Sequence, residues 1–261
     1  MHVEVAGSGP PLVLLHGWAM HGGVFAPLVE RLRNDFTLHV VDLPGHGGSR
    51  GSDVPLALDA CAAAVADVVP DAPWLGWSLG GLVALHAAHA WPARVPALLM
   101  TCASPRFVRG DDWPFAVSAE IFREFAAGLR RDYPGTLDRF IALEAFGSDH
   151  AREEIRALRA EVLARGEPDA AVLADGLDVL EHADLRAALP SLRVPSLWLA
   201  GRRDRLVDPR AMRAAATLAP GASAHVVEHA GHAPFLTHAD EVAARVRAFL
   251  DTRPVAAERH A

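Results

Sequence analysis

Ser78 stands in the run Gly76-Trp77-Ser78-Leu79-Gly80-Gly81, between a short apolar stretch and a small-residue stretch that extends to Ala90. A G-x-S-x-G pentapeptide between a strand and a helix is the setting of a nucleophilic serine. The turn is too tight for side chains two positions either side, and it lifts the hydroxyl above the sheet. The helix N-terminus then points its partial positive charge at developing negative charge. The bland alternative is a serine capping a helix beside close-packed glycines; ordered partners elsewhere in the chain argue against it.

A serine hydroxyl is a poor nucleophile unless a base takes its proton. Position must choose among fourteen histidines. His232, in Gly231-His232-Ala233-Pro234-Phe235, follows the last strand-like run and precedes the closing helix, the third place in the order Ser…Asp…His. His229 is its rival, and His238 reads as a capping or surface residue. The acid should follow the penultimate strand. Asp204 sits at the turn of Gly201-Arg202-Arg203-Asp204, where a carboxylate holds an imidazole tautomer and stabilises the imidazolium. Asp208 precedes Pro209 and reads as a helix N-cap. A tetrahedral intermediate also needs two N–H donors. Leu79 supplies one, and Trp18, in Leu15-His16-Gly17-Trp18, the other, its ring lining an acyl pocket; the alternative for Trp18 is core packing alone. Asp42 to Ser49 reads as a structural loop in which Asp42 bonds a turn.

These residues need elements that place them at one edge. Leu12–Leu15, Thr37–Val41, Trp74–Trp77 and Val95–Thr101 are strand-like, with helices over Leu58–Val69 and from Ser78 to Ala90. Short apolar strands alternating with helices mean a mostly parallel α/β sheet. Between Ser104 and Leu185 strands vanish and four helices are expected: Ala116–Arg131, Thr136–Phe146, Ala151–Ala164 and Asp169–Leu180, with breaks at Pro134-Gly135, Gly147-Ser148 and Gly166 to Pro168. Strands return at Ser196–Ala200 and Ala224–Glu228, and a helix spans Ala239–Leu250. The expected organisation is a core of residues 1–103 and 186–253, a helical cap of residues 104–185 over the sheet's carboxyl edge, and a frayed tail at 254–261.

Composition limits the partners. Net charge is −7, which argues against a nucleic-acid binder; that all 25 basic residues are arginine reads as composition bias, not function. No apolar run is long enough to cross a bilayer, and the N-terminus lacks a signal-peptide pattern. Cys61 and Cys102 fall in no metal or redox spacing and read as buried thiols of a reducing cytoplasm. No cofactor or metal is implied, and a monomer is expected.

Leu14-Leu15-His16-Gly17-Trp18, Val41-Asp42-Leu43-Pro44-Gly45, the elbow from Trp74 to Ala84 and Ala233-Pro234-Phe235 resemble the pimeloyl-[acyl-carrier protein] methyl ester esterases of biotin synthesis, within the α/β-hydrolase superfamily. The likeness extends to Asp112-Trp113-Pro114, Asp138 to Leu143 and Ala157-Leu158. It implies hydrolysis of the methyl ester to pimeloyl-carrier protein and methanol. It also implies a substrate channel touched by Trp18, Ser78, Leu79, Phe140, Ile141, Ala142, Leu143, Glu144 and His232. Glu144 departs from the uncharged polar residue more typical there. Carrier-gripping arginines correspond to Arg139, Arg152 and Arg156. A further basic position of the family falls near Gly135, so its grip on the carrier is either missing here or taken over by Arg130 or Arg131.

Apart from the resemblance, Arg152, Arg156 and Arg159 fall at i, i+4 and i+7 on one helical stripe, beside an apolar stripe of Ile155, Leu158 and Val162. An arginine stripe suits an acidic partner; a solvated face with local Glu–Arg pairs is the alternative. Phe140, Leu143 and Phe146 are expected to turn inward. Rival readings are a broad carboxylesterase, lactonase or carbon–carbon bond hydrolase on the same scaffold, or a non-catalytic ligand receptor.

Overall fold

Strands Leu12–Leu15 and Trp74–Trp77 are so apolar because helices cover both faces of the sheet's middle, which leaves no solvent side to alternate with. The computed structural model describes residues 1–251 and contains one seven-stranded sheet ordered β1-β3-β2-β4-β5-β6-β7. Its strands are β1 (His2–Gly7), β2 (Pro11–Leu15), β3 (Thr37–Asp42), β4 (Trp74–Trp77), β5 (Leu98–Thr101), β6 (Ser196–Gly201) and β7 (Ala222–Val227). All neighbours are parallel except β1, which runs antiparallel on β3. β1 carries no apolar run, because it is an edge strand with Glu4 and Val5 exposed, and the sequence reading misses it for that reason.

The helices are α1 (Ala26–Leu32), α2 (Leu58–Ala66), α3 (Leu79–Ala90), α4 (Ala119–Arg131), α5 (Tyr133–Glu144), α6 (Ala151–Ala164), α7 (Ala170–His182), α8 (Pro209–Leu218), α9 (Pro234–Thr237) and α10 (Ala239–Asp251). α1 packs on α10 and α2 on α3 against the sheet. Helices α4 to α7 stand between β5 and β6. Side chains tie this insert to the loops after β2 and β3. Trp18 Nε1 donates to Leu173 O (2.8 Å), and His21 Nε2 to Glu161 O (2.7 Å). Arg165 pairs with both Glu4 (2.7 Å) and the buried Asp42 (3.1 Å).

Two expectations about the insert change. Pro134-Gly135 does not break the chain: it opens α5, where Asp132 accepts the Gly135 N–H and the missing proline N–H leaves no helix bond unmade. α5 ends at Glu144, so Phe146 lies beyond it and is 60% exposed, rather than turned inward. In α6, Leu158 and Val162 are buried while Arg152, Arg156 and Arg159 face solvent, as the stripe predicts. The expected tail at 254–261 lies outside the described residues.

Candidate active site

Ser78 follows β4 and stands at the N-cap position of α3 with φ +54°, ψ −119°, a conformation non-glycine residues avoid. The flanking glycines make this turn possible. A Cβ on Gly76 would meet the backbone of Gly80 and Gly81, and one on Gly80 would meet the carbonyls of Leu15 and His16. The loop after β2 is equally close: a Cβ on Gly17 would lie 3.1 Å from the Ser78 Cβ and from the Trp77 ring. Trp18 and Leu79 thus border the elbow from two sides. The Leu79 N–H opens a helix and has no intrahelical acceptor. The Trp18 indole N–H is occupied by Leu173 O, which leaves the main-chain N–H for any donor role.

That loop is held by a buried imidazole. His16 Nδ1 donates to Gly17 O (2.8 Å), and its Nε2 accepts the Leu43 N–H (2.9 Å). Burial, helped by neighbouring His46, pushes His16 down to about 3, so the ring stays neutral and keeps this tautomer. Asp42 accepts from Gly22 N–H (2.7 Å) and Gly48 N–H (2.8 Å), the turn-bonding role expected of it.

His232 and Asp204 meet at the neighbouring strand ends. His232 Nδ1 lies 2.8 Å from Asp204 Oδ2, with both side chains fully buried. Asp204 Oδ1 accepts the N–H groups of Leu206 (2.8 Å) and Val207 (2.9 Å), which fixes the orientation of the carboxylate. The His232 main chain is fixed at both ends: its carbonyl accepts from Trp77 Nε1 (2.8 Å), and its N–H donates to Glu144 O (3.2 Å). The imidazole lies 5.6 Å from the Trp77 ring, one residue before Ser78. Its Nε2 is buried with no partner, so no hydrogen bond joins it to Ser78 here; such bonds often tighten only with substrate. His229 is elsewhere: it is 63% exposed and pairs with Asp149. Asp208 caps α8 through Arg210 N–H (2.8 Å).

The expected lining 140–144 divides, because five consecutive helical residues cannot share one side. Phe140 and Ile141 are buried, with Phe140 edge-on to Trp18 at 4.4 Å, and Leu143 is half-buried. Ala142 faces solvent on the far side of α5, which removes it from the lining. Glu144 is buried with neither carboxyl oxygen paired. Burial, with Asp204 and Glu154 adding to it, raises its carboxyl well above the usual range.

Among the arginines, Arg139 donates to Thr136 and pairs with Asp132, and Arg159 pairs with Asp138 at 2.9 Å. Arg152 and Arg156 make no ion pair among the described residues. Arg130 and Arg131 are exposed in the last turn of α4.

Cys102, read from the sequence as a buried thiol, is buried at φ +43° just past β5; its place beside the Asp204–His232 pair is what the sequence does not show. Its thiol, the Asp204 carboxylate and the His232 imidazole offer ligand atoms within 4.8 Å of one another. Burial and then Asp204 push the thiol well above its ordinary value. The protonated form is a weak donor and a poor metal ligand.

The alpha/beta hydrolase fold model matches residues 10–239. The chain is 58% identical to a pimeloyl-[acyl-carrier protein] methyl ester esterase of Stenotrophomonas maltophilia over 250 residues, 96% of each chain. It is 59% identical to the enzyme of that name from Xanthomonas campestris pv. campestris over 254 residues, 97% of this chain and all of the other. In fold it is similar to an esterase from Exiguobacterium antarcticum (TM-score 0.86, 23% identity, 96% and 95% of the two chains). A strained serine elbow, a buried imidazole–carboxylate pair and this near full-length identity lead to one conclusion: the chain belongs to the alpha/beta hydrolase fold family, among the pimeloyl-[acyl-carrier protein] methyl ester esterases.

Proposed function

We propose that this hydrolase cleaves the methyl ester of pimeloyl-[acyl-carrier protein], releasing methanol and leaving the free carboxylate on the carrier-bound chain. The observation that carries the reading is the buried His232–Asp204 pair beside the Ser78 elbow in a chain 58–59% identical to enzymes of that name. Ser78 Oγ attacks the ester carbonyl while His232 Nε2 takes its proton. The resulting oxyanion is held by the main-chain N–H groups of Leu79 and Trp18. The imidazolium, steadied by Asp204, returns the proton to departing methoxide. Water, deprotonated by the same imidazole, then hydrolyses the acyl-enzyme. No step asks for a metal or cofactor.

In this reading helices α4 to α7 are a cap, and Trp18, Phe140, Ile141 and Leu143 line the acyl channel. The solvent-facing Arg152 and Arg156 are its main carrier-protein contacts. Arg139 and Arg159 must first give up Asp132 and Asp138. The two free, buried cysteines suit a cytoplasmic setting, and among the described residues no helix is long and apolar enough to cross a membrane.

Rescue of a biotin-requiring strain that lacks its own esterase tests the reading. The wild-type chain restores growth and Ser78→Ala does not. Growth with neither rejects the carrier-protein substrate, and growth with both rejects the nucleophile.

A further inference from the structure

Glu144 is a buried acid at the site for which the reaction has no use. It closes α5 with its side chain turned inward, 1% exposed, and both oxygens lack any hydrogen bond. The groups that act on it are acids: Asp204 from the loop after β6 and Glu154 from α6. Glu154 is itself buried; its Oε1 accepts the hydroxyls of Ser148 (2.7 Å) and Thr237 (3.0 Å), while its Oε2 is unpartnered. His150 and His232 act on Glu154, and the Cys102 thiol lies against Asp204. A carboxylate at position 144 would therefore sit in a dry site with no donor, beside two other acids, the costliest arrangement for a charge. The neutral acid is the form that fits.

The same residue holds the base. The Glu144 carbonyl accepts the His232 N–H (3.2 Å). A Cβ added to Gly231 would lie 3.2 Å from that carbonyl, from Glu154 Oε2 and from the Ser148 Cβ. The end of α5, the start of α6 and the His232 loop thus press on one another at a single point.

We propose that Glu144 is a positioning residue for His232 that works only as the uncharged acid. With its proton it stays sealed under the His232 loop. When hydroxide or buffer base removes that proton, the carboxylate turns toward water and draws away the carbonyl that fixes the imidazole. Ester hydrolysis then falls at alkaline pH although the triad residues remain intact. The rate arm of this inference rests on the serine-hydrolase reading; a stability arm does not.

Glu144→Gln keeps the shape and removes the titrating proton, and Glu154→Gln is the comparison. The probe is p-nitrophenyl butyrate, with kcat/KM followed from about pH 6 to about pH 10 and corrected for spontaneous hydrolysis. The wild type loses activity on the alkaline side. In Glu144→Gln that loss moves to higher pH or vanishes, so the high-to-neutral pH ratio of kcat/KM rises severalfold; in Glu154→Gln it changes less.

Thermal unfolding supplies the second readout. A carboxyl whose folded value is raised contributes stability that is whole below its unfolded value of 4.5 and is lost as pH rises through its folded value. Between those two values wild-type Tm drops relative to Glu144→Gln by about 3–5 °C per pH unit, and above the folded value the gap stays constant. Parallel Tm curves, or an alkaline loss that Glu154→Gln alone removes, overturn the proposal. A wild type that hydrolyses no ester sinks the serine-hydrolase reading instead, while the Tm curves still decide whether Glu144 is neutral.

Discussion

Asp204 spends one carboxyl oxygen on two main-chain N–H groups and the other on His232. In the proposed reaction it therefore serves to orient the imidazole. Asp204→Asn keeps the shape but offers an amide that favours the wrong imidazole tautomer, so kcat should fall by about 10⁴-fold with the fold intact. Steady-state kinetics with circular dichroism checks this. His229→Ala, at the exposed neighbour paired with Asp149, should change kcat by less than about twofold. An equal loss in both variants would contradict the geometry. At this scale the candidate site is largely legible in the sequence, because Ser78, Asp204 and His232 each come after a strand with a glycine within three positions. Glu144 is legible only in part. Its place on the buried stripe, four residues after Phe140, follows from helical spacing, but an acid there with neither oxygen paired is a product of packing against the His232 loop and α6, which spacing does not show.

At the scale of elements, α6 divides its surface cleanly, with Leu158 and Val162 inside and three arginines outside. Arg159 is already paired with Asp138, whereas Arg152 and Arg156 are available to an acidic partner. Charge reversal of both, Arg152→Glu with Arg156→Glu, should lower kcat/KM for the carrier-protein ester by roughly tenfold or more, mainly through KM. The loss should shrink as salt screens the contact, and p-nitrophenyl butyrate turnover should be untouched. Equal losses on both substrates would place these arginines in folding rather than docking. Periodicity makes α6 readable from the sequence; α5 is misjudged because Pro134-Gly135 looks like a break and is instead a helix start. β1 escapes notice because an edge strand with a solvent side needs no apolar run.

For the whole molecule, the loops that carry the site are held by groups that tolerate only one protonation state. Burial pushes His46 down to about 4, and burial with His46 pushes His16 to about 3. A histidine depressed below its unfolded value of 6.5 contributes stability that is present above that pH and lost as pH falls toward the folded value. Tm should therefore fall on the acid side by about 3–5 °C per pH unit for each such group. His46→Asn, whose amide can replace the Nδ1–H donated to Pro44 O (2.9 Å), should flatten that slope. An unchanged slope would mean that the ring is not buried as the neutral form.

The central claim concerns one hydroxyl and one substrate. Mass spectrometry of pimeloyl-carrier protein methyl ester, incubated with wild type and with Ser78→Ala, tests both together. Loss of the ester methyl as methanol with wild type only, falling by about 10⁴-fold or more in the variant, is the predicted result. Demethylation at equal rates by the two proteins, or by neither, would contradict it.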